Sequence, residues 1–145
     1  MNAIEECIEA CNKLLRGELS ALESYTRAIK KFETEGERTA LQGIRSGHEK
    51  PAASLRSHIQ DMGGRPSESS GAWGGFVQAL EGAALVLGES PPLAVLEKGE
   101  QHGIDEYREA LADEDVMEEI KQVIRGQLLP SCAQHLVTLG RLRKA

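Results

Sequence analysis

Aromatic side chains are scarce: one Trp, two Tyr and two Phe in 145 residues. Aliphatic residues are common instead, which suits helix packed on helix better than a sandwich of sheets. Long apolar runs are missing as well. The longest weakly polar stretch, Gly71 to Leu87, is broken by Gln78, Glu81 and several glycines, so no transmembrane span is expected. Positive charge is in deficit. With 17 Lys and Arg against 23 Asp and Glu, the net charge is -6. That argues against the basic face of a nucleic-acid binder and against an anionic membrane partner. Three cysteines, an odd number, build no disulfide framework and point to a reducing, cytoplasmic location. The opening MNAIEECIEA carries acids and no basic n-region, so no secretory signal is expected. No nucleophile–base pair, phosphate loop or nucleotide fingerprint occurs; Gly63-Gly64-Arg65-Pro66 is a turn signal.

What is present is helical periodicity. A first helix is predicted over 2–33 and a second over 37–62, with Gly36 between them as a terminator. Pro51 falls inside the second and should kink it, Gly47 easing the clash. After the loop that starts at Gly63, a short crossover helix is predicted over 72–87, carrying Trp73 and Phe76. Ser90 and Pro91 read as the cap and first turn of a helix over 91–112. A last helix over 114–143 contains Pro130, another expected kink. Two helical hairpins joined by a long connection make an all-α, single-domain bundle spanning 1–145.

Each main helix interrupts its apolar stripe once with a polar residue. The first reads Ile4, Ile8, Cys11, Leu15, Glu18, Leu22, Tyr25, Ile29, Phe32. Glu18 stands where a leucine belongs, and a buried carboxylate must be paired, hydrogen-bonded or metal-bound. His48, Glu100 and His135 break the other three stripes in the same way. Together they form a candidate metal set of two carboxylates and two imidazoles, one per helix. Without a metal, Glu18 would hydrogen-bond Tyr25 or His135 as a buried polar pair. Tyr25, Glu49, Glu97 and Gln127 stand beside the set as supporting groups or substitute ligands. Cys7 and Cys11, four apart, read as packing residues ahead of a soft-metal or thiol site.

The segment Asn12-Lys13-Leu14-Leu15-Arg16-Gly17-Glu18-Leu19-Ser20-Ala21 with Tyr25 resembles the first helix of bacterioferritin. The resemblance implies that Glu18 binds iron with Tyr25 packed beside it. It sets His48, Glu100 and Gln127 at the positions of the family's other glutamates. The family's Glu-x-x-His pairs appear here as His48-Glu49-Lys50-Pro51 and Gln127-Leu128-Leu129-Pro130, with proline in place of each histidine. The chain resembles more closely a group of small bacterial ferritin-like proteins whose domain has no assigned function. The signs are Gly17-Glu18, Leu96-Glu97-Lys98-Gly99-Glu100 ahead of Tyr107-Arg108-Glu109-Ala110-Leu111, and Gln127 with His135. This resemblance implies a ferritin-like four-helix bundle. The expectation is a transition metal inside it, iron first and manganese, zinc or copper after. If redox-active, the protein would be a metal-dependent oxidoreductase; the alternative is a metal-free structural or interaction bundle. A homodimer is expected, with Trp73 and Phe76 as an apolar patch, and neither nucleic acid nor membrane as partner.

Overall fold

The computed structural model describes residues 2–71, 79 and 90–144. The expected crossover helix, with Trp73 and Phe76, lies outside the described residues.

Helix α1 spans Ala3–Ile29. The Asn2 side chain caps it by accepting from the Glu5 amide at 2.9 Å, and Glu5 and Glu6 complement the positive end of the helix dipole. It ends earlier than its apolar stripe. Gly36 is no terminator: Thr34 begins α2, Glu35–Asp61. Thr34 Oγ1 accepts from the Glu37 amide at 3.3 Å, which caps the helix, and donates to the Glu37 carboxylate at 2.7 Å. Pro51 is accommodated inside α2 without ending it. The far end is a Schellman turn. Gly63, at φ 84°, takes the left-handed conformation, and the Gly64 amide reaches back to the Ile59 carbonyl at 2.9 Å.

Helix α3 is Pro91–Ala112; Ser90 occupies the cap position but makes no side-chain cap bond. Residues 113–117 form a turn where helix had been expected. Helix α4, Glu118–Val123, then runs into a π-helical turn, Ile124–Leu128, and on into α5, Leu129–Lys144. Pro130 accounts for the π turn. In a regular α-helix its ring would press on the Gly126 carbonyl, four residues back. The wider turn, in which the Leu129 amide bonds to the Ile124 carbonyl, absorbs the mismatch.

Helix α1 packs against α2 and α3, and α5 packs against α3 and α2, which closes a four-sided bundle. Its core has two apolar halves. Cys7, Cys11, Leu15, Leu55, Ile124 and Leu128 belong to one; Phe32, Leu41, Ile44, Leu93, Leu96 and Leu139 belong to the other. Each fully buried leucine contributes about 1.5–3 kcal/mol. Between the halves lies a polar layer made by Glu18, His48, Glu100 and His135. Beyond α2, the loop turns back over α1: Asn12 bonds the Arg65 carbonyl at 3.0 Å and the Ser67 amide at 2.8 Å. Among the described residues no helix is long and apolar enough to cross a membrane.

Candidate metal centre

All four stripe-breaking residues point inward. Glu18 is 4% exposed, His48 4%, Glu100 3% and His135 7%, so each must satisfy its charge or polarity inside the protein. His48 does most of the joining. Its Nδ1 lies 2.6 Å from Glu18 Oε2 and its Nε2 lies 2.6 Å from Glu100 Oε1. Neutral imidazole has one N–H, so donating to both carboxylates requires the imidazolium. Burial pulls the His48 pKa down, but the Glu18 charge and the bonds to Glu100 and Glu18 outweigh it and hold it at about 10. Glu100 is the mirror case. Burial pushes its carboxyl up, and the bonds from His135 and His48 bring it to about 2.

The tyrosines cross over. Tyr25 on α1 donates to Glu100 on α3 at 2.7 Å, and Tyr107 on α3 donates to Glu18 on α1 at 2.5 Å. Each tyrosine follows the glutamate of its own helix by seven residues, two helical turns, and bonds the glutamate of the other. That exchange requires α1 and α3 to run antiparallel. Burial first, then the adjacent carboxylate, pushes both phenols well above the usual tyrosine range, so they stay protonated donors. The expected partners of Glu18 are thus corrected: it bonds His48 and Tyr107, and Tyr25 and His135 turn to Glu100. His48 also stacks on Tyr25 with ring centroids 5.5 Å apart.

His135 Nδ1 sits 3.3 Å from Glu100 Oε1, and its ring lies 4.6 Å from that of His48. Gly47 makes room for it: a Cβ there would fall 2.5 Å from His135 Nε2. Donor atoms of His48, Glu100 and His135 all lie within 4.8 Å of one another. Glu18 stands on the far side of the His48 ring. The residues fit one ion. A paired-metal site of the usual carboxylate kind takes four glutamates and two histidines, and Pro51 and Pro130 offer no donors.

The three flanking candidates do not reach the centre. Glu49 is exposed and paired with Arg45 at 2.8 Å. Glu97 is held by Arg143 Nε at 3.1 Å. Gln127 is exposed on the outer side of the π turn. Two groups at the centre escaped the sequence reading. Tyr107 looked like packing, although its seven-residue spacing from Glu100 repeats that of Tyr25 from Glu18. Cys132 lines a cavity of about 40 Å³ beside the layer, above the ~10–15 Å³ that one water needs. Gly17 and Ala21 of α1 and Gly99 and Gly103 of α3 border the same cavity. Burial pushes the Cys132 thiol well above its ordinary range. Cys7 and Cys11 are fully buried, and burial with the neighbouring Cys7 sulfur pushes the Cys11 thiol up to about 12. A reactive thiol pair would need the opposite shift.

An antiparallel helical bundle with carboxylates and imidazoles converging between two apolar halves has the ferritin-like fold. A solved structure shares that fold: a ferritin-like, diiron-carboxylate protein from Bacillus anthracis str. Ames is 18% identical, with a TM-score of 0.73 over 99% of each chain. No curated protein matches the chain. Residues 6–113 match the family model described as a domain of unknown function, DUF2383, and the chain belongs to that family.

Proposed function

We propose that the protein binds one transition metal ion inside the bundle, between His48, Glu100 and His135, with iron the first choice. The observation that carries this reading is the convergence of those three buried donors, from three helices, to within 4.8 Å. Oxygen and imidazole ligands suit iron and manganese, and admit zinc or copper. Glu18, a candidate ligand by sequence, is the outer carboxylate that accepts from His48 Nδ1–H and orients the ring toward the ion. Tyr25 and Tyr107 orient the two carboxylates. An ion with open positions would supply Lewis-acid or redox chemistry there. The description of the Bacillus anthracis protein as diiron-carboxylate favours iron; the donor set of this chain favours one ion over two. A cytoplasmic location completes the proposal.

The test is metal analysis and calorimetric titration of tag-free protein with Fe(II) under argon, Mn(II), Zn(II) and Co(II). One ion per chain is expected. Glu100→Gln should abolish binding, and Glu18→Gln should weaken it by about 10–100-fold, as loss of an orienting partner does. No stoichiometric metal, together with a melting temperature that neither metals nor chelator move, rejects the reading. That outcome would favour the metal-free alternative, which has its own observation: His48 bridges the two carboxylates, with one ring nitrogen on each.

A further inference from the structure

Glu106 stands six residues beyond Glu100 on α3, roughly 9 Å along the helix axis. It is 6% exposed. Its Oε2 faces the Lys13 ammonium at 3.4 Å, while its Oε1 is buried with no hydrogen-bond partner among the described residues. An unsatisfied buried carboxylate oxygen is costly and calls for an explanation. Its location supplies one. Glu106 and Leu14 line both the interior cavity that reaches Glu18 and Glu100 and a separate surface groove. That groove also carries Glu6, Glu9, Glu109, Asp113 and Asp115. Its acids are crowded enough that Glu6 bonds Asp115, and that bond with the Asp115 charge raises the Glu6 pKa. Of the two cations in the groove, Arg16 is engaged with Ser67 Oγ at 3.1 Å, and Lys13 holds Glu106.

We propose that Glu106 is a relay carboxylate that passes a divalent transition-metal cation from this acidic groove into the interior centre, with Lys13 as the counter-ion the metal displaces. The proposal rests on the metal reading above. Much of the cavity wall between the two ends is small and apolar, and a cation crossing it unaided would lose several kcal/mol of hydration. Glu106 borders both spaces, so each leg of the route would run from carboxylate to carboxylate. Lys13 has somewhere to go: it is half exposed and also lies 3.6 Å from Glu109 Oε2. Moving onto Glu109 frees Glu106 and keeps the ammonium paired.

Stopped-flow binding of Co(II) to the full chain, read by visible absorption, tests the relay. Glu106→Gln should keep the wild-type stoichiometry and bind at equilibrium within about threefold of wild type, while its association rate falls tenfold or more. Lys13→Gln should bind faster than wild type. A wild-type rate in Glu106→Gln overturns the relay and leaves the centre standing. A folded Glu106→Gln protein that binds no Co(II) at equilibrium makes Glu106 a ligand and also overturns it. If Glu106→Gln does not fold, Lys13→Gln decides: an unchanged rate overturns the relay. Wild-type protein that takes up no Co(II) at equilibrium removes the metal reading and the relay with it.

Discussion

Tyr25 and Tyr107 each lend a proton to a carboxylate on the opposite helix, and the two bonds differ in what depends on them. Tyr107 supplies one of the two bonds to Glu18, the other coming from His48. Glu100 has three donors around it. Tyr107→Phe should therefore cost more, about 1–3 kcal/mol for an oxygen left unsatisfied, than Tyr25→Phe; urea unfolding at neutral pH measures both. The same layer sets a pH window for metal-free protein. The His48 pKa is raised from 6.5 to about 10, so its contribution is full below about 6.5 and lost as pH climbs through 10. The Glu100 pKa is lowered from 4.5 to about 2, so its contribution is full above about 4.5 and lost as pH falls through 2. A melting temperature that is flat between those limits and falls outside them is expected; differential scanning calorimetry across pH in the presence of chelator measures it. Glu18, His48, Glu100 and His135 were legible because a polar residue on an apolar stripe is conspicuous. Tyr107 was not, since an aromatic on such a stripe reads as packing. Glu106 was not, because it lies off the stripe of α3 and its burial comes from the neighbouring helix.

At the scale of an element, α2 and α5 meet where one lacks a side chain and the other has a ring. Gly47→Ala would set a methyl 2.5 Å from His135 Nε2, and the imidazole would have to swing away. The expected outcome is a loss of about 1–3 kcal/mol with weakened metal binding. In the Gly47→Ala background, His135→Ala should recover most of the stability and none of the binding, a non-additivity that a double-mutant cycle reads directly. The sequence signalled Gly47 only as relief for Pro51, since nothing in α2 reveals what α5 brings opposite. The four long helices were legible from periodicity, and their ends less so. Gly36 looked like a stop, but Thr34 with Glu37 makes the stronger signal, a start. Pro130 announced an irregularity without its form; the π turn keeps Cys132, His135 and Leu139 on the inner face beyond it.

At the scale of the molecule, the polar layer is closed off by apolar residues on both sides, and its chemistry is correspondingly insulated. The homodimer expected from the sequence is carried forward as a proposal. Light scattering behind size exclusion should give twice the 15.8 kDa of one chain, and a single-chain mass at micromolar concentration would dismiss it. The architecture was legible because each helix advertises its buried face. The occupant of the interior was not, because an ion and a proton leave the same signature of acids and imidazoles in a sequence. His48, clasped by a carboxylate at either nitrogen, has a consequence for how such a chain matures. It lets the newly made polypeptide fold to completion with its interior acids already reconciled. On the proposed metal reading, loading would then be an exchange, one incoming ion for one outgoing hydrogen ion, which a finished protein could run in either direction.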